Sequence, residues 1–206
     1  MDSNPPQDQG IIPLGIVLAV LASIALVIDI PPLIWHVRNR NIAAICLVGW
    51  TMLYNLLSII NFSIWPTSDM QNWFSGKGLC DVEAKILIAR STALPAAALC
   101  IIKALAKVMD TDKTALVPTK TQRRRACVMD LVWCLGVPVL TMFLHYVVQP
   151  NRYYLIGVSG CNPSVAPSWL AIVLISVPPL LLALACSYYA GKHTSPNLLL
   201  TSKQTH

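Results

Sequence analysis

Five long apolar runs alternate with short polar segments along the chain, at residues 11–35, 42–65, 79–108, 127–148 and 167–190. A helix needs roughly 20 apolar residues to cross bilayer hydrocarbon, where lipid offers the backbone no hydrogen-bond partner. Every run reaches that length, so the pattern predicts an all-α fold, a polytopic membrane bundle of five transmembrane helices. Residues 1–10 and 191–206 are polar and read as tails on a bundle at 11–190. Proline cannot donate to the helical ladder. Pro31 and Pro32 are therefore expected to end the first helix, and Pro95 and Pro138 to kink the third and fourth. Residues 36–41, 66–78, 109–126 and 149–166 read as the connecting loops.

The polar residues inside these runs are patterned. The third run, a helix rising about 45 Å, carries Asp81, Glu83, Lys85 and Arg90 and ends on Lys103 and Lys107. Charge inside a span is costly and marks either a ligand site or a seal between helices. Asp81 and Lys85 are spaced as an ion pair on one face. Glu83 and Arg90 share a face two turns apart. In the second run Thr51, Tyr54, Asn55, Ser58, Asn61 and Trp65 recur at helical spacing and form one stripe. Asp130, Cys134, Thr141 and His145 do the same in the fourth. Such stripes face other helices or a wet cavity. Asn61, Phe62 and Ser63 spell a glycosylation sequon, but one placed against the membrane.

Composition agrees with a membrane protein: of 206 residues 55% are hydrophobic and 12% charged, with a mean hydropathy of +0.61. The net charge of +6 is no nucleic-acid signature, because the cations sit between apolar spans rather than on an aromatic-interleaved stripe. Short loops rich in Lys and Arg stay inside. Arg38, Arg40, Lys103, Lys107, Lys113, Lys120, Arg123, Arg124, Arg125, Lys192 and Lys203 fall on one side, and Lys77 and Arg152 on the other. The N-terminus is therefore expected outside and the C-terminus inside. Of seven cysteines only Cys80 and Cys161 then face the oxidising compartment, so they are either one disulfide or two free thiols.

No catalytic, metal or cofactor motif is present in the sequence. His145 and Asp130 would sit about 22 Å apart on one helix, too far for acid–base partnership. A small transporter or channel-like subunit is the competing class, suggested by Lys85 and Arg90 in a span and by the proline-broken helices.

Five spans, an outside N-terminus and a possible link from the third helix to the second outer loop resemble the first five helices of a G-protein-coupled receptor. Pro32, Trp35, His36, Arg38, Asn39, Trp50, Asn55, Ile60 and Asn61 look like the start of a fungal mating-pheromone receptor of the a-factor (lipopeptide) type, class D. Trp73, Cys80, Asp81, Lys85, Leu99, Cys100, Ile101, Asp130 and Leu131 extend the likeness. Gly136, Pro138, Tyr146, Gln149, Arg152, Tyr153, Gly160, Cys161, Pro163 and Trp169 carry it over about four-fifths of the chain. The resemblance implies a plasma-membrane receptor, not an enzyme. Its partners would be a lipidated (farnesylated) peptide pheromone, a heterotrimeric G protein and membrane lipid. Tyr54, Trp65 and Trp73 would offer the ligand aromatic surface, and Asn61, Asp81, Glu83, Lys85 and Arg90 would orient its polar groups. Arg38, Arg40, Lys103, Lys107, Arg123, Arg124 and Arg125 would face the G protein, with Lys103 where the family suggests an arginine. The family has seven helices, so a form truncated after the fifth is also implied.

Overall fold

The computed structural model of the chain describes residues 8–66, 74–109, 119–157 and 159–204. Among them, five helices are long and apolar enough to cross a membrane, so this is an integral membrane protein. The first three spans are Asp8–Arg38, Ile42–Ile64 and Leu79–Met109. The fourth is Lys120–Val148, and the fifth, Trp169–Gly191, runs on as helix to Gln204. One end of the bundle carries a disulfide between Cys80 and Cys161. The opposite end carries Arg38, Lys107 and Lys120 and is called the basic end.

Two local expectations need correction, and a third takes a specific form. Pro31 and Pro32 lie inside the first helix, which ends only at Arg38. Ending a helix within apolar surroundings would leave several carbonyls unpaired, so the ladder tolerates two missing donors and stops where charged residues reach water. The turn is then made by Arg40, whose φ of 53° is left-handed. The fourth helix starts at Lys120 rather than near residue 127. Thr119 and Gln122 form a capping box, each side chain accepting from the other's backbone N–H, at 3.3 and 3.1 Å. Lys120, Arg123, Arg124 and Arg125 therefore stand on helix, not loop; Lys113 lies outside the described residues. Third, the interruption at Pro138 takes the form of a π-turn, Val132–Gly136, in which the Val137 N–H reaches the Val132 carbonyl. The same device, Ile172–Ser176, precedes Pro178 and Pro179. Each widened turn lies just where the proline ring would crowd the preceding carbonyls.

The third span is the hub: 44% of its most apolar stretch is buried, against 11–17% for the others. Ala84, Ala89, Ala93, Ala96 and Ala97 are fully buried on it, and small side chains let helices approach closely where lipid supplies no hydrophobic drive. At the basic end Cys100 packs with Ala43 and Cys134. Midway, Thr92 and Thr141 share a hydrogen bond of 2.9 Å between the third and fourth spans. Large apolar side chains such as Val27, Phe143 and Trp169 point outward, as a lipid-facing surface requires.

Over the disulfide end lies a small hairpin, β1 (Tyr154–Ile156) antiparallel to β2 (Gly160–Asn162), with Leu155 opposite Cys161. The disulfide ties β2 to the first turn of the third span. Trp65 packs on the two cysteines, fully buried, and donates from Nε1 to the Phe74 carbonyl at 3.0 Å. Tyr153 adds a bond to the Ser75 carbonyl at 2.9 Å.

Candidate ligand-binding cavity

Between the first, second and third spans, under the hairpin, lies a cavity of about 680 Å³. That is within the range of pockets that hold small ligands. Its walls differ in chemistry. The first span contributes Leu14, Leu18, Ala19, Leu21, Ala22 and Ala25. The second contributes the polar stripe, with Tyr54, Asn55, Ser58 and Asn61 all lining the space. Glu83 and Leu87 close it from the third span, and Gly157, Ser159 and Asn162 roof it.

Asn61 and Glu83 form its polar corner, 4% and 1% exposed. Asn61 Nδ2 donates to Glu83 Oε1 and, at 3.1 Å, to the Ser159 carbonyl. Gly160 explains how the hairpin comes this close: its φ is +69°, and a Cβ there would fall on the Asn61 carboxamide. An Asn61 so enclosed gives a glycosyltransferase no access, which disposes of the sequon.

The other expected site residues are placed elsewhere. Asp81 and Lys85 do not pair. Asp81 meets Arg152 at 3.6 Å, with both side chains well exposed, an ion pair worth about 0–1 kcal/mol. Lys85 turns to the fourth span, where Nζ reaches His145 Nδ1 at 3.0 Å and the side-chain carbonyl of Gln149. An ammonium only donates, so His145 Nδ1 accepts and its ring proton lies on Nε2, donating to the Ser164 carbonyl at 2.9 Å. Arg90 does not reach Glu83; its guanidinium stacks 3.8 Å from the centre of the Tyr54 ring, bracing a residue of the cavity wall. Trp65 belongs to the packing around the disulfide, and Trp73 lies outside the described residues. Tyr54, Asn61 and Glu83 are thus the expected ligand residues that the fold brings together.

Residues 17–202 match the family described as Pheromone A receptor. The chain belongs to the Pheromone A receptor family. It is 34% identical to the Pheromone B beta 1 receptor of Schizophyllum commune over 84% of this chain and 31% of that one. It is 31% identical to the Pheromone a factor receptor of Saccharomyces cerevisiae, over 82% of this chain and 36% of that one. With the Pheromone M-factor receptor of Schizosaccharomyces pombe the identity is 29%, over 88% and 48%. The chain thus spans less than half the length of these relatives. No solved structure matches it.

In this member of the Pheromone A receptor family the basic end presents Arg38, Arg40, Lys107, Arg123, Arg124 and Arg125 as exposed side chains. Lys103 is set apart from them. Its Nζ lies 5.4 Å from the Trp133 ring and 5.3 Å from the Tyr189 ring, bridging three spans. The sequence reading missed the first span's share of the cavity. The signal was there in Gly15, Ala19 and Ala22, small residues at helical spacing in an otherwise bulky run. It also missed Ser159 and Asn162, which enter only because the hairpin folds back over the bundle.

Proposed function

We propose that this chain belongs to a plasma-membrane receptor for a lipidated peptide pheromone, coupled to a heterotrimeric G protein. One observation carries the reading: within a pheromone-receptor family, a cavity with one apolar and one polar wall lies at the disulfide end of the bundle. An isoprenoid chain suits the leucines and alanines of the first span, and peptide groups suit Tyr54, Asn61 and Glu83. Asp81, Lys85, Arg90 and Trp65 serve by fixing the surrounding helices and cap, and Trp73 is assigned to the ligand surface by the resemblance alone. Residues 1–10 lie outside, 11–190 cross the membrane, and 191–206 lie inside with the basic end, where Arg38, Arg40, Lys103, Lys107, Arg123, Arg124 and Arg125 face the G protein. A ligand shifts such a bundle only as far as it contacts its arrangements differently. Contacts spread over three spans and the roof meet that requirement.

Two experiments test this. Reporters inserted after Lys120 and after Arg152 are expected to read cytoplasmic and external respectively; a cytoplasmic signal at Arg152 overturns the orientation. A receptor that carries this chain together with the remaining spans of the seven-helix family, expressed in cells lacking their own receptor of this family, is expected to give a dose-dependent response to a cognate lipidated peptide. Removing the lipid should weaken that response at least about a hundredfold, since each buried CH₂ contributes about 0.8 kcal/mol. An equal response to the bare peptide sinks the lipid assignment, and no response to either sinks the receptor reading.

A further inference from the structure

We propose that the cavity receives an N–H donor group, an ammonium or amide at the head of an apolar chain, on Glu83 Oε2 and Asn61 Oδ1. The inference deepens the receptor reading and rests on it for the ligand's lipid character. The geometry is its own argument. Both hydrogens of Asn61 Nδ2 are committed, one to Glu83 Oε1 and one to the Ser159 carbonyl. Because both partners accept, the carboxamide cannot be turned over, and Oδ1 is left as an acceptor. Neither Oδ1 nor Glu83 Oε2 has a hydrogen-bond partner among the described residues, though both atoms are buried. Buried acceptors without donors are costly and uncommon, and they gather where something else supplies the donor.

Among the described residues the walls do not supply it. Neither Lys, Arg nor His lines the cavity among the described residues; Lys85 is bound to His145 and Gln149, and Arg90 stacks on Tyr54 with its Nε reaching neither acceptor. Two unpartnered acceptors in one corner call for a group with at least two hydrogens, or two neighbouring N–H groups, which selects an amine or peptide amides over an ether or ester. From this corner the apolar wall of the first span leads away, with Ala19 and Ala22 leaving room for a chain. The acceptors select the head and the alanines admit the tail.

The test uses the purified chain in phosphatidylcholine nanodiscs and three photoreactive diazirine probes of one chain length: dodecylamine, dodecyltrimethylammonium and dodecyl methyl ether. The trimethylammonium keeps the charge without an N–H, and the ether has neither. Dodecylamine is expected to label residues 14–25 of the first span at least about tenfold more than either analogue. Glu83→Gln, which puts an N–H₂ where an acceptor stood, should remove that preference. Ala19→Trp, which fills the cavity and leaves the acceptors alone, should abolish the labelling of 14–25 by all three probes. The intact Cys80–Cys161 bond, read by non-reducing mass spectrometry, confirms that each variant has folded. Equal labelling by amine and trimethylammonium overturns the proposal, as does labelling spread evenly over lipid-facing spans or an Ala19→Trp chain that labels normally. No pheromone enters the measurement. Its failure therefore leaves the cellular response intact, and failure of that response leaves the probe preference intact.

Discussion

Cys161→Ser is expected to be among the most destabilising single changes in this chain. The bond to Cys80 closes a loop of 81 residues, for which the chain-entropy account gives about 4.5 kcal/mol. That figure is a ceiling, because spans that stay inserted in the unfolded state have already lost much of their freedom. The structural consequence is local. The bond holds β2 against the third span, β2 carries Gly160, and the adjoining Ser159 carbonyl fixes Asn61. Trp65, packed with both cysteines, loses part of the surface that buries it. Thermal unfolding of the chain in nanodiscs measures the effect. Cys80→Ser should lower the midpoint as much as Cys161→Ser, and the double variant no further, because all three remove one bond. Additive losses would mean the two cysteines contribute separately and would sink the account. The Glu83-dependent preference for dodecylamine should fall along with the midpoint.

How much of this was legible follows from what each residue depends on. Membrane spans are dictated by length and hydropathy within one segment, so all five could be read without knowing their neighbours. Where a helix ends depended on competition. Pro31 and Pro32 spoke for a stop, but the cost of bare backbone in lipid spoke louder. At Thr119 the start is set by a capping box with Gln122, a short local signal followed by a run of arginines with no apolar period to mark a helix. The polar stripe of the second span was visible as a stripe, and Tyr54, Asn55, Ser58 and Asn61 do share one cavity. What no periodicity could reveal was the partner across each gap. Glu83 and Lys85 are two residues apart and face different helices, one toward Asn61 and one toward His145. The pairing of Cys80 with Cys161 was accessible because orientation left only two cysteines on one side. The hairpin that sets Ser159 over Asn61 carries almost no pattern of its own, and Gly160 betrays it only once its left-handed backbone is seen.

The sharpest test of that geometry is the exchange Asp81→Lys with Lys85→Asp. If the two residues formed the ion pair their spacing suggests, the exchange would restore it, and the double variant would recover what either single loses. The structure predicts the opposite. Lys85→Asp removes the ammonium that serves His145 Nδ1 and Gln149. His145 Nδ1, fully buried, costs about 1–3 kcal/mol when left without its donor. A carboxylate in its place brings more acceptors to a corner that needs donors. Asp81→Lys alone should be nearly silent, since its exposed pair with Arg152 contributes about 0–1 kcal/mol. Combined, the second change cannot repair the first, because the ammonium introduced at position 81 would stand beside Arg152 rather than beside His145. The double variant is therefore expected to fold no better than Lys85→Asp. The measure is the yield of monodisperse protein and its unfolding midpoint, each single and the double compared with the parent chain. Recovery of the parent midpoint in the double would show that Asp81 and Lys85 act as a pair after all. Lys85→Arg supplies the counterpoint: a guanidinium still donates to both His145 and Gln149, so it should retain most of the stability that Lys85→Asp loses.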